Sequence, residues 1–187
     1  MKKVVIFSAL LLASMAAFSQ TWTVDKAHAK AGFSVTHMMI SDVDGNFKNF
    51  DAKITSAKDD FSDAAVEFTA DVNSINTDNE RRDGHLKGAD FFDAAKFGTI
   101  TFKSKSISKV EGKKYKLVGD LTMHGVTKPV TLDLTLNGTG VNRDKKKIAG
   151  FKATGELKRT DFGVGSVPAA VVSDEIGLRL VGEFVQN

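Results

Sequence analysis

Residues 115–136 read YKLVGDLTMHGVTKPVTLDLTL, and their alternation decides the fold. Tyr115, Leu117, Gly119, Leu121 and Met123 share one parity, with Lys116, Asp120 and Thr122 between them. Beyond His124-Gly125, the residues Val130, Leu132, Leu134 and Leu136 answer that face, with Thr131, Asp133 and Thr135 opposite. A period of two buries one side of a strand and wets the other, which is the mark of antiparallel sheet. Gly125 suits the reversal and Pro129 the first position of the following strand.

The same period extends outward in both directions. Phe33 and Val35 alternate with Ser34 and Thr36; Val66, Phe68, Ala70 and Val72 with Glu67, Thr69 and Asp71. Ile100 and Phe102 flank Thr101, Ala153 and Leu157 flank Gly155, and Ile176, Leu178, Leu180, Gly182 and Phe184 form a long last strand. Roughly eight strands separated by Gly, Asn and Asp turns predict an all-β sandwich or barrel. Closure favours the barrel, because no helix covers a second face and an open sheet would expose its edges. Such a barrel is either packed by its own side chains or holds one small ligand, and alternation does not choose between them.

One segment breaks the pattern. Thr77 and Glu80 have the spacing of a capping box, and a short helix is predicted from near Asp78 to about Gly88. Leu86 and the Phe91-Phe92 pair are its apolar part and are expected to cap one barrel end.

The N-terminus reads as an export signal. Lys2 and Lys3 precede the apolar run Val4–Leu12, and small residues surround Ala17 and Ser19. The run is too short to span a bilayer, so no stable membrane insertion is expected. Residues 1–19 are read as a cleaved signal peptide and 20–187 as one domain, placed in the periplasm. Removing Lys2 and Lys3 takes the formal charge from +3 to +1, and the basic runs Lys113-Lys114 and Arg143–Lys147 sit in turns, so no nucleic-acid partner is expected. The absence of cysteine excludes disulfides, thiolate chemistry and a lipidated anchor.

Catalytic signatures are missing. His28, His37, His85 and His124 have no metal-ligand spacing, no Gly-x-Ser-x-Gly elbow exists, and Gly163–Ser166 lacks the ending of a phosphate loop. No catalytic residue, metal or cofactor is expected. Arg81, Asp83 and His85 form a dense polar cluster that reads either as an ion-paired helix face or as a headgroup site. Arg159 is free to pair with Asp161 or to point into a barrel mouth.

Several stretches together resemble the YceI-like family of lipocalin-like, polyisoprenoid-binding exported proteins. They are Trp22, Val24, Asp25 and His28 with Phe33–His37; Gly45 and Phe47; Asn76-Thr77, Arg82-Asp83, His85-Leu86 and Asp90–Asp93; Ile100–Phe102 with Ser104; Leu121–Val130; and Arg159 with Asp161–Gly163. The resemblance covers about Thr21 to Phe184. It departs at Met123, where a branched residue is usual, and at Gly98, where a proline is common. It implies an eight-stranded antiparallel lipocalin-like barrel with a short helix packed near one end and an elongated apolar cavity. The implied ligand is a polyisoprenoid, an isoprenoid quinone or another long-chain lipid, bound without catalysis for storage or transport. Family members can be dimeric, so a homodimer is an accompanying expectation.

Transferred to this chain, the resemblance implies a lining of Phe33, Val35, His37, Phe47, Phe68 and Phe102. Leu121, Leu132, Leu134, Leu157 and Ile176 would complete it, with Phe91 and Phe92 as its seal. Arg81, His85, His124 and Lys128 are the candidates for a polar headgroup at the mouth. Two alternatives make different demands. A lipid-modifying enzyme would rest on His37, His85 or Asp83, and a structural or stress-response interaction protein would have a filled barrel.

Overall fold

The structure is a computed structural model that describes residues 19–187, so the export signal, apart from Ser19, lies outside the described residues. Ten strands form: β1 Gln20–His37, β2 Ser41–Phe47, β3 Phe50–Ser56, β4 Ala65–Asp71, β5 Ile75–Asn76, β6 Thr99–Glu111, β7 Lys114–Met123, β8 Val126–Val141, β9 Lys147–Lys158 and β10 Val172–Gln186. Among the described residues one α-helix, α1, spans Glu80–Lys87.

Eight of the strands close an antiparallel ring in the order β1-β3-β4-β6-β7-β8-β9-β10, with β10 pairing back onto β1. This is the eight-stranded barrel the alternation and the resemblance predict. The other two strands branch from it. Residues 20–23 of β1 pair with β3, and residues 31–37 pair with β2, which in turn pairs with β5. Strand β3 is absent from the sequence reading, because only Phe50, Ala52 and Ile54 carry its alternation.

Two local expectations need correction. Pro129 lies inside β8, opposite Asp120 of β7, and not at its first residue. It is tolerated because β8 pairs with β9 only from Asp133 onward, so Pro129 has edge-strand freedom on its other side. The helix starts at Glu80 and is capped by Asn79, whose side chain accepts from the Arg82 amide at 3.0 Å. Thr77 is not the cap. Its amide and hydroxyl donate to buried Asp83 at 2.8 and 2.6 Å, and its hydroxyl and carbonyl each accept from Arg82 at 2.7 Å. Those bonds satisfy a polar pair that burial would otherwise make costly.

The barrel ends differ. At one, Phe61 is driven inward from the loop before β4 and meets Trp22 and Phe151 edge-on, at centroid distances of 5.2 and 5.0 Å. Phe151 meets Phe184 in the same way at 5.6 Å, and the Tyr115 hydroxyl donates to the Asp60 carbonyl, pinning the loop. This is a plug of close-packed aromatic rings. The other end is covered by α1, the Phe91-Phe92 segment, and a 3-10 turn at Arg159–Phe162 with the chain that follows it.

Candidate functional site

Between the plug and the cap lies an apolar cavity with about 230 Å³ of space. Its walls come from inward positions of the ring strands, and among its lining residues only Lys30 and Arg159 are charged. A cavity so lined stays dry and accepts apolar guests.

The structure brings together Phe33, Val35, Phe47, Phe68, Phe102 and Leu121 around this space. Leu132, Leu134, Leu157 and Ile176 also line it, as do Phe91 and Phe92 at the capped end. Phe33 and Phe47 lie 5.8 Å apart by ring centroids, and Phe47 meets Phe92 edge-on at 6.1 Å. These three rings tie β1 and β2 to the cap. Gly45 makes room for the Phe33 ring, since a Cβ there would collide with its Cζ.

His37 is not in the wall. It is exposed at the end of β1, where the pairing with β10 slips between Val35 and His37 and the chain turns away. None of the four headgroup candidates lines the cavity either. Arg81 is exposed on α1, and His85 sits edge-on to Phe91 with Nε2 3.6 Å from Asp90. His124 lies in a left-handed turn against Phe97, its Nδ1 3.3 Å from the Phe162 carbonyl. Lys128 is paired with Asp161 at 3.2 Å.

Arg159 is the polar residue that matters most at this site, and the sequence leaves its direction open. It is 4% exposed, and its guanidinium donates to five carbonyls. Nε reaches Ser173 at 3.1 Å; Nη1 reaches Val164 and Gly165 at 3.1 and 2.6 Å; Nη2 reaches Val167 and Val172 at 2.7 and 3.0 Å. A guanidinium has five N–H donors, so the inventory is complete. The charge clasps residues 164–173 against the barrel rim. Only the Arg-x-Asp-Phe-Gly string points to it in sequence, because its acceptors are backbone atoms.

Missed lining residues include Phe50, Ile54, Phe151 and Phe184. Phe184 was legible as part of the last strand's alternation, whereas Phe50 and Ile54 sit on the unread β3. Outside the barrel, Asp25, His28 and Glu183 bring one ligand atom each to within 4.8 Å of one another. His28 Nδ1 is 2.8 Å from Asp25, whose hydrogen bond and charge, with the charge of Glu183, raise the imidazole above its usual value. The three meet because β1 slips by extra residues between Asp25 and Ala29 against β10, which spacing in sequence does not show.

A YceI-like domain matches residues 22–184. The chain belongs to the YceI-like family. It is 37% identical over 183 residues to Protein YceI of Salmonella agona, covering 97% of this chain and 95% of that one. The crystal structure of Burkholderia cenocepacia BcnA superposes with a TM-score of 0.78 at 26% identity, covering 86% of this chain and 98% of BcnA. The polyisoprenoid binding domain of Saccharophagus degradans shares the fold, with a TM-score of 0.61 at 14% identity over 89% of this chain and 98% of that domain. The YceI-like barrel is therefore the frame in which the cavity is built.

Proposed function

We propose that this YceI-like barrel is a non-catalytic carrier that holds a long-chain isoprenoid or similar lipid in its cavity, for storage or transport in the periplasm. The observation that carries the reading is the apolar, almost uncharged cavity itself. A binding role is also in keeping with the polyisoprenoid binding domain that shares the fold.

The dimensions bound the ligand. One water needs about 10–15 Å³ of such space, so the cavity takes roughly 15–23 carbon-sized groups. That corresponds to three or four isoprene units, and a longer tail needs wall side chains such as Phe33 to swing aside. At about 0.8 kcal/mol per buried methylene, fifteen groups contribute about 12 kcal/mol. Association costs at least about 4 kcal/mol of that, leaving at most about 8 kcal/mol, an affinity on the order of micromolar or weaker. The headgroup lies at the capped end in this reading, where the positive charge of Arg159 favours an anionic or strongly polar group.

The test is mass spectrometry of an organic extract from mature protein purified without detergent from the compartment it occupies. One long-chain isoprenoid near one per protomer supports the carrier. An empty extract together with a crystal structure showing a side-chain-filled barrel sinks it and favours a structural interaction protein.

A further inference from the structure

The turn between β1 and β2 is built from residues that neither the barrel nor its cavity uses. Met38 and Met39 have φ of 54° and 58°, and the Ile40 amide donates to the His37 carbonyl at 3.0 Å. Two successive left-handed residues make the tight hairpin turn that Asn-Gly ordinarily fills, because a side chain is strained there. Here both positions carry methionine. The strain presents apolar groups outward: Met38, Met39 and Ile40 are 50%, 78% and 84% exposed.

The tip is not alone. The Met38 amide donates to the Val171 carbonyl at 2.9 Å, joining it to the exposed stretch Pro168–Val171. Residues 162–173 contain no charged side chain, and neither do residues 38–41. Along the chain the flanking groups are His37 and Asp42 for the first stretch, and Asp161 and Asp174 for the second; Asp161 is paired with Lys128, while Asp42 and Asp174 stand back on β2 and β10. Two apolar, uncharged loops therefore project together from the capped end. Val35, Val172 and Ile176, a few residues away on the same strands, line the cavity.

We infer that this tip docks the protein reversibly on a lipid bilayer, the source or destination of the lipid in the carrier reading on which the inference rests. A bilayer fits better than a protein partner on two grounds. A stable protein interface buries about 800 Å² per partner from some 20–30 residues, several times what these seven residues offer. A protruding turn also leaves its flanks wet against a flat protein face, whereas hydrocarbon closes around it. The depth is limited to the turn, since Asp42 and Asp174 stay in the headgroup layer. Among the described residues no helix is long and apolar enough to cross a membrane, and none is needed.

Val110 is the internal control. It is 60% exposed at the plugged end, on a hairpin with Lys109, Glu111, Lys113 and Lys114 around it. Because the chain has no cysteine, Ile40→Cys and Val110→Cys each give one labelling site for an environment-sensitive fluorophore in the mature protein. The probe is a vesicle of phosphatidylethanolamine and phosphatidylglycerol free of isoprenoid. The label at position 40 is expected to shift to shorter wavelength and to be shielded from an aqueous quencher, while that at position 110 is unchanged. Binding should persist at high salt and drop at least tenfold in the Met39→Asp/Ile40→Asp double variant, whose bound-lipid content stays at the parent level.

Equal quenching at both positions overturns the inference. So does a dimer in sedimentation velocity that the double variant abolishes, which would make the tip a contact between copies. The two readings fail separately. An inserted tip on a protein that extracts no lipid and crystallises with a side-chain-filled barrel supports the docking and refutes the carrier; a lipid-loaded protein with a wet tip does the reverse.

Discussion

Replacing Arg159 by methionine keeps a long apolar stem and removes all five donors at once. Hydrogen bonds to a charged group contribute about 1.5–3 kcal/mol each. Five such values together would match a whole domain's stability of about 5–15 kcal/mol, so they do not add. What limits the loss is escape: residues 164–172 include several exposed positions, and once released their carbonyls find water. The expected cost is therefore about 3 kcal/mol, above one unsatisfied buried carbonyl and near a broken buried polar network. With a urea slope of about 2 kcal/mol per molar, the unfolding midpoint drops by about 1.5 M. Amide exchange should quicken in residues 164–172 and hold steady at the Trp22–Phe61–Phe151 plug. Arg159→Lys keeps the charge with fewer, less directed donors and should recover part of the loss. Val164 and Val172 line the cavity, so lipid retention should fall with the clasp. A midpoint within 0.2 M of the parent for Arg159→Met would mean, by the same slope, that the five contacts contribute almost nothing, and the clasp would be wrong.

Three further outcomes follow from other parts of the molecule. Gly45→Val should displace the Phe33 ring into the cavity and lower bound lipid per protomer, measured by quantitative extraction, at an overpacking cost of about 1–3 kcal/mol. Removing the lipid should lower the melting temperature: saturation at a hundred times Kd is worth about 2.7 kcal/mol, or roughly 5–11 °C for a chain of this size, and an unchanged melting curve counts against an enclosed ligand. His28 is raised in the folded state by Asp25, so its stabilising contribution is complete below the unfolded value near 6.5 and fades as pH rises through the folded one. Stability should therefore decline slightly on the alkaline side of that value, and His28→Ala should flatten the decline in denaturant titrations across pH 6–9.

Much of the barrel was readable because its signal is local. On β7 and β8, Leu117, Leu121, Leu132 and Leu134 announce an inner face by parity alone, and the structure puts each of them on the cavity. Parity failed where pairing slips. His37 keeps step with Phe33 and Val35 in sequence, yet the shift against β10 takes it out of the wall. Lys128 shares parity with Val126 and Val130 in a β7–β8 pairing that does not slip, yet its long side chain reaches Asp161 and leaves the cavity wall. The polar network was less legible still. Thr77 has the spacing of a cap, but its partner is Asp83, six residues on and buried, a pairing that needs the loop's path and not its composition. Arg159 bonds only to carbonyls, which every residue has, so no side-chain pattern could name its partners.

The two ends of the barrel are held by different physics, and that difference orders how a ligand moves. The plug is aromatic contact in a close-packed interior, with Phe61, Trp22, Phe151 and Tyr115 all buried, and opening it forfeits that burial together. The cap also buries Phe91, Phe162 and Val164, but it is held in addition by hydrogen bonds from two small clusters, Arg159 with its carbonyls and Thr77 with Asp83 and Arg82. Hydrogen bonds released to water are largely replaced, so a polar clasp opens at less net cost than an apolar plug of similar extent. Local opening should thus favour the capped end, which is also where the uncharged Met38–Ile40 turn projects. A lipid leaving a bilayer under that turn would meet the part of the barrel whose opening costs least. If amide exchange instead showed the plug loop 57–64 opening before residues 164–172, exchange through the cap would have to be abandoned, whatever lipid the cavity holds.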